Sequence, residues 1–145
     1  MKTLVIGYGN ALRHDDGVGP FVAERLEECA DLRVIVCHQL TPELAEPVSQ
    51  ADRVIFVDAH TEVRAGEIAV LAVAPSESAL IHQQDAGTLL DWARKLYGRA
   101  PEALMVGIGG EMFELGEGLS PAGARAARAA LRAIRELVRQ PSGRT

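Results

Sequence analysis

The sequence predicts an α/β fold of three layers, with a five-stranded, mostly parallel twisted sheet between helices on both faces. Three observations predict it. Short apolar runs rich in β-branched residues alternate with segments of helical periodicity along the chain, the pattern of repeated β–α units. The strongest run, Arg53-Val54-Ile55-Phe56-Val57-Asp58, is unbroken in its hydrophobicity, as a strand buried on both faces of a parallel sheet must be. No repeat, low-complexity segment or linker interrupts the alternation, so residues 1–145 read as a single domain.

Each element follows from local pattern. Thr3 to Ile6 is the first strand, ended by Gly7-Tyr8-Gly9-Asn10. After the polar Arg13-His14-Asp15-Asp16-Gly17, the residues Val18, Phe21, Val22, Leu26 and Cys29 recur at helical spacing. They give a first helix with Glu24, Glu27 and Glu28 on its wet side. Arg33 to Cys37 is a second strand, and Pro42 to Gln50 a short helix with proline near its start. Gly66 to Val73 is a fourth strand suited to an edge, followed by a loop over residues 74–85 and a helix through Leu89, Leu90, Ala93 and Leu96. Leu104 to Ile108 is the fifth strand. Gly109 to Gly118 is glycine-rich and irregular, and Ser120-Pro121 is an N-cap followed by proline in the first helical position. The last helix runs to about Arg139, with Ala127, Leu131, Ile134 and Val138 as its core stripe. Arg125, Arg128, Arg132, Arg135 and Arg139 form its solvated face.

Composition narrows the function. The apolar fraction of 48% and charged fraction of 24% are those of a folded globular chain. A net charge of −5, with no basic run outside the last helix, argues against nucleic acid as a partner. Cys29 and Cys37 form neither a disulfide framework nor a C-x-x-C pair, and read as two buried thiols of a reducing compartment. The N-terminal apolar run is too short for a signal peptide, and nothing approaches the ~20 apolar residues of a membrane span. A cytoplasmic protein without a membrane partner is expected.

In open α/β sheets ligands bind beyond the carboxyl ends of the strands, and that is where the polar groups of this chain fall. His14, Asp15 and Asp16 follow strand one, His38 follows strand two, Asp58 and His60 follow strand three, and His82 precedes the third helix. Each has a duller reading beside it. Asp15 or Asp16 could simply cap the first helix, Asp58 could accept from loop amides, and any one histidine could be an ordinary loop residue. Together, carboxylates and imidazole offer two hard oxygens and a borderline nitrogen, suited to nickel, zinc, iron or manganese or to general acid–base work on water.

Competing motifs fail. Gly7-Tyr8-Gly9-Asn10-Ala11-Leu12 lacks the third glycine of the dinucleotide fingerprint, and His38 stands where a ribose-binding acid is needed. Neither a P-loop nor a nucleophile elbow occurs. No organic cofactor is expected.

Gly7-Tyr8-Gly9-Asn10-Ala11-Leu12-Arg13-His14-Asp15-Asp16-Gly17-Val18-Gly19 closely resembles the N-terminal signature of the hydrogenase maturation endopeptidases. The resemblance continues at Val54 to Ala59, His82-Gln83, Leu104 to Ile108 and Gly118-Leu119-Ser120-Pro121, in order along nearly the whole chain. It implies cleavage of the C-terminal extension from a nickel–iron hydrogenase large-subunit precursor, with the nickel brought by the substrate. It also implies that Asp16, Asp58 and His82 contact that metal, Asp16 and Asp58 being the candidates for a catalytic part. The chain departs from the family at His38-Gln39-Leu40-Thr41, where many members carry Asp-Gly-Gly, and at Ile81, where proline or serine is commoner. Two other functions use the same residues: a non-enzymatic nickel carrier or chaperone in hydrogenase assembly, and a small-molecule metallohydrolase built on Asp58-Ala59-His60.

Overall fold

The computed structural model describes residues 1–77 and 85–140. Its centre is one sheet of β1 (Thr3–Tyr8), β2 (Leu32–Cys37), β3 (Arg53–Ala59), β4 (Ile68–Ala72) and β5 (Glu102–Ile108), in the order β2-β1-β3-β5-β4. Four strands run parallel, and β4 lies antiparallel along β5 as an edge strand. The three-layer, five-stranded, mostly parallel sheet expected from the sequence is the one observed.

The helices are α1 (Val18–Glu24), α2 (Ala45–Gln50), α3 (Ala86–Tyr97) and α4 (Pro121–Arg139). Alternation along the buried strands sends Leu4, Ile6, Val54, Phe56 and Met105 to a core shared with α2 and α3. Val5, Ile55, Val57, Val106 and Ile108 face the other way, against α1 and α4. Both faces of β1 and β3 are therefore dry, which is why their sequences show no polar alternation.

Particular residues fix the packing. Gly19 is required where α1 crosses the sheet, because a Cβ there would stand 2.5 Å from both the Tyr8 and Val57 carbonyl oxygens. The N-cap reading of Ser120 is correct, since its Oγ accepts from the Gly123 amide at 3.0 Å. At the other end of α4 the buried Arg53 reaches in from β3 and donates to the Leu137 carbonyl at 2.7 Å, closing the helix with positive charge. No sequence rule pointed to Arg53. The five arginines of α4 are exposed, as expected of a solvated face.

Two expectations need correction. The first helix stops at Glu24 rather than reaching Cys29, which instead pairs with Leu32 through mutual backbone bonds of 3.0 and 3.2 Å. That tight turn delivers the chain to β2 and overrides the apolar periodicity. Cys29 is consequently exposed, and Cys37, at the end of β2, is half-buried against the core shared with α2 and α3, so neither is the fully buried thiol expected. The short helix after β2 is also divided, opening as a 3₁₀ turn over Pro42–Leu44 before α2 begins. Among the described residues no helix is long and apolar enough to cross a membrane.

Candidate functional site

The strand order reverses between β1 and β3, since β1 is followed in space by β2 on one side and by β3 on the other. Beyond their carboxyl ends lies the crevice of such a sheet. Asp16 sits in the 3₁₀ turn His14–Gly17 that follows β1, and Asp58 is the sixth residue of β3. Two carboxylates 42 positions apart in the chain are thus brought to the switch point, where the charge of Asp16 acts on Asp58.

Their environments differ. Asp16 is half-buried, and its Oδ2 accepts from the Asn10 amide at 2.9 Å, which closes the loop leaving β1. Asp58 is driven by burial to a pKa of about 7. The Ala59 amide opposes that rise, the charge of Asp16 adds to it, the Tyr8 hydroxyl opposes it and the charge of Glu62 adds to it. Tyr8, the last residue of β1, is itself pushed above its ordinary value, by burial first and then by the adjacent Asp58. The Tyr8 hydroxyl at the end of β1 and the Asp58 carboxyl at the end of β3 therefore act on one another. Tyr8 reads in the sequence as part of a turn, so its role there was missed.

Asp15, the neighbour of Asp16, does something different. It is fully buried. Its carboxylate accepts from the amides of Glu111 (2.7 Å), Met112 (3.0 Å) and Ser120 (2.8 Å) and from the Ser120 hydroxyl (2.6 Å). Burial alone would raise its pKa, but the Ser120 hydroxyl and those amides hold it below the usual carboxylate range. Neither acid makes a side-chain cap to α1; Asp15 instead ties the Gly109–Gly118 segment and the start of α4 to the loop that carries Asp16.

The histidines separate. The ring of His14 lies 2.9 Å from the Gly118 carbonyl through Nδ1, and its backbone has a positive φ of 45°. His38 is exposed beyond β2. His60 Nε2 stands 4.0 Å from Asp58 Oδ2. His82 lies outside the described residues. Among the described residues no group of three or more His, Cys, Asp or Glu side chains is close enough to hold a metal. What the geometry provides is a pair of interacting carboxylates, one of them partly protonated near neutrality, with an imidazole beside it.

No protein-family profile matches the chain, and no curated protein does. Solved structures do. The hydrogenase maturating endopeptidase HybD from E. coli superposes with a TM-score of 0.81 at 24% identity, covering 96% of this chain and 93% of that one. The [NiFe] hydrogenase maturation protease HybD from Thermococcus kodakarensis gives 0.73 at 23% identity, covering 96% and 100%. An uncharacterized protein from Wolinella succinogenes gives 0.61 at 27% identity, covering 94% and 95%. The chain has the fold of the hydrogenase maturation endopeptidases.

Proposed function

We propose that this protein is a cytoplasmic endopeptidase that removes the C-terminal extension of a nickel–iron hydrogenase large-subunit precursor after nickel insertion. The observation that carries this reading is the meeting of Asp16 and Asp58 at the switch point of a fold shared with hydrogenase maturation endopeptidases. The charge of Asp16 disfavours ionisation of Asp58, and a divalent cation brought between the two carboxyls would relieve that repulsion.

Nickel is cargo in this scheme, arriving on the precursor. Asp16, Asp58 and His82 supply two oxygens and one imidazole, a donor set that suits nickel and leaves positions for ligands of the precursor. Three such donors hold the metal weakly until the precursor completes its shell, so a precursor without nickel is passed over. In this reading Asp16 or Asp58 is also the candidate to orient water toward the scissile carbonyl.

The test is to incubate the protein with candidate precursors, with and without nickel, and to weigh the product by mass spectrometry. A single cut confined to nickel-loaded precursor is expected. Asp16→Asn, Asp58→Asn and His82→Ala proteins should fold and fail to process. Full cleavage by Asp58→Asn would sink the reading.

A further inference from the structure

We infer that the outer edge of β4 is a docking strand for the C-terminal extension of the precursor, which pairs along it as an added strand; the inference rests on the protease reading above. Among the described strands β4 bonds to β5 alone, so its other side is open. Alternation in an antiparallel ladder says which groups point outward. The Val73 amide donates to the Ala103 carbonyl at 3.0 Å, and the Gly109 amide to the Glu67 carbonyl at 2.8 Å. The odd-numbered residues of β4 therefore face β5, and Ile68, Val70 and Ala72 turn their amides and carbonyls away from it. Among the described residues no main-chain group pairs with them. The edge also lacks the guards that keep strands apart, since Ile68-Ala69-Val70-Leu71-Ala72 carries neither charge nor proline. Val70 is 43% and Leu71 53% exposed, on opposite faces of the strand. An extended chain laid there gains backbone bonds from the edge and covers apolar side chains on both faces.

Register ties this edge to the crevice. Asp58, Gly107 on β5 and Ala69 on β4 lie in one row across the sheet and share a face. The His60 ring lies over the glycine of that row, since a Cβ on Gly107 would stand 2.7 Å from its Nδ1. Leu71 points to the same face, two residues further along β4. Strands lie about 4.8 Å apart, so a strand added to β4 runs roughly 14 Å from β3. A tail leaving the cut covers that distance in about five extended residues at ~3.3 Å each. It reaches Ile68 first and Ala72 last, because β4 starts at the carboxyl edge of the sheet. The part of the precursor before the cut belongs to the subunit, whereas the tail beyond it is free to lie extended. A second copy of this chain fits the edge less well. Two five-residue strands side by side fall far short of the roughly 1,200–2,000 Å² that a stable interface buries.

The test has two arms. One measures cleavage of nickel-loaded precursor with kcat and KM separated. The other follows amide exchange of the full chain mixed with synthetic peptides that copy the tails of candidate precursors. Those peptides should slow exchange at Ile68, Val70 and Ala72 and leave Ala69 and Leu71 unchanged. Val70→Pro removes an outward donor and no bond to β5, and should raise KM by about fivefold, far more than it lowers kcat. Proline placed in the pairing stretch of the tail should do the same with the protein unaltered. A tail cut back to about five residues should also raise KM, since it ends before β4. Precursor cut by the wild type with a KM indifferent to proline in the tail overturns the inference and leaves the protease reading standing. That result decides even if Val70→Pro fails to fold. Protection of the same three amides that grows with protein concentration, without peptide, assigns the edge to a second copy and overturns the inference too. A wild-type protein that cuts no precursor removes the protease reading. Exchange with the tail peptides then still decides β4: slowed, it supports the docking strand, and unchanged, it overturns it.

Discussion

Replacing Asp58 by asparagine should stabilise the free protein, and the gain should depend on pH. Asparagine keeps the size of the side chain and an acceptor oxygen beside the Ala59 amide and Tyr8 hydroxyl, but it carries no charge to desolvate. Burial raises the carboxyl of Asp58 from 3.8 to about 7. Its proton is therefore held more tightly in the folded than in the unfolded chain. The sign follows from linkage: the stability this group contributes is fully present below about pH 4 and is lost as the pH rises through 7. A shift of about 3 pH units corresponds to roughly 4 kcal/mol once both states are ionised. Between pH 5 and pH 8 the same linkage gives a loss of about 2.5 kcal/mol. The side chain is 24% exposed, and water reaching it trims the figure to about 2 kcal/mol. The assay is urea unfolding of both proteins at pH 5, 6.5 and 8, taking the difference at each pH so that other titrating groups cancel. The variant should gain on the wild type by about 2 kcal/mol across that range. A difference that stays constant, or shrinks toward pH 8, would refute the argument that Asp58 is a destabilised carboxylate.

Other perturbations follow from the same contacts. Asp15→Asn places an amide where four donors converge, and should cost about 3 kcal/mol by urea unfolding at pH 7. Because the folded carboxyl of Asp15 lies below 3.8, its contribution is present above that pH and should fade only on strong acidification. Arg53→Met removes the guanidinium that caps the Leu137 carbonyl, and should cost about 2 kcal/mol with faster amide exchange in the last turn of α4. Gly19→Ala pushes a methyl against two carbonyls at 2.5 Å, and should lower stability by at least about 2 kcal/mol in thermal unfolding.

Much of the fold was legible because its signals are local. The unbroken run of β3, the Ser120-Pro121 start of α4 and the edge character of β4 each depend on neighbours in sequence. The same holds for Asp16 and Asp58, which declare themselves by following strand ends. What was not legible is decided at a distance. The donors that claim Asp15 lie from 96 to 105 residues away, so nothing near it could tell cap from cross-link. Tyr8 meets Asp58 only because β1 and β3 pair in register, with Gly7 opposite Val57. Cys29 continues a helical phase that the turn before β2 cuts short, and the pairing of His60 with Asp58 depended on a glycine in β5.

The buried cross-link at Asp15 has one further consequence. The residue that anchors and the residue that faces the crevice are adjacent, so the loop holding Asp16 inherits the stiffness of a 19-residue helix through Ser120. A carboxylate on such a mount has already surrendered the conformational freedom that capturing a ligand would otherwise take from it. The entropy of ordering is met during folding, once, and each arriving substrate is spared it.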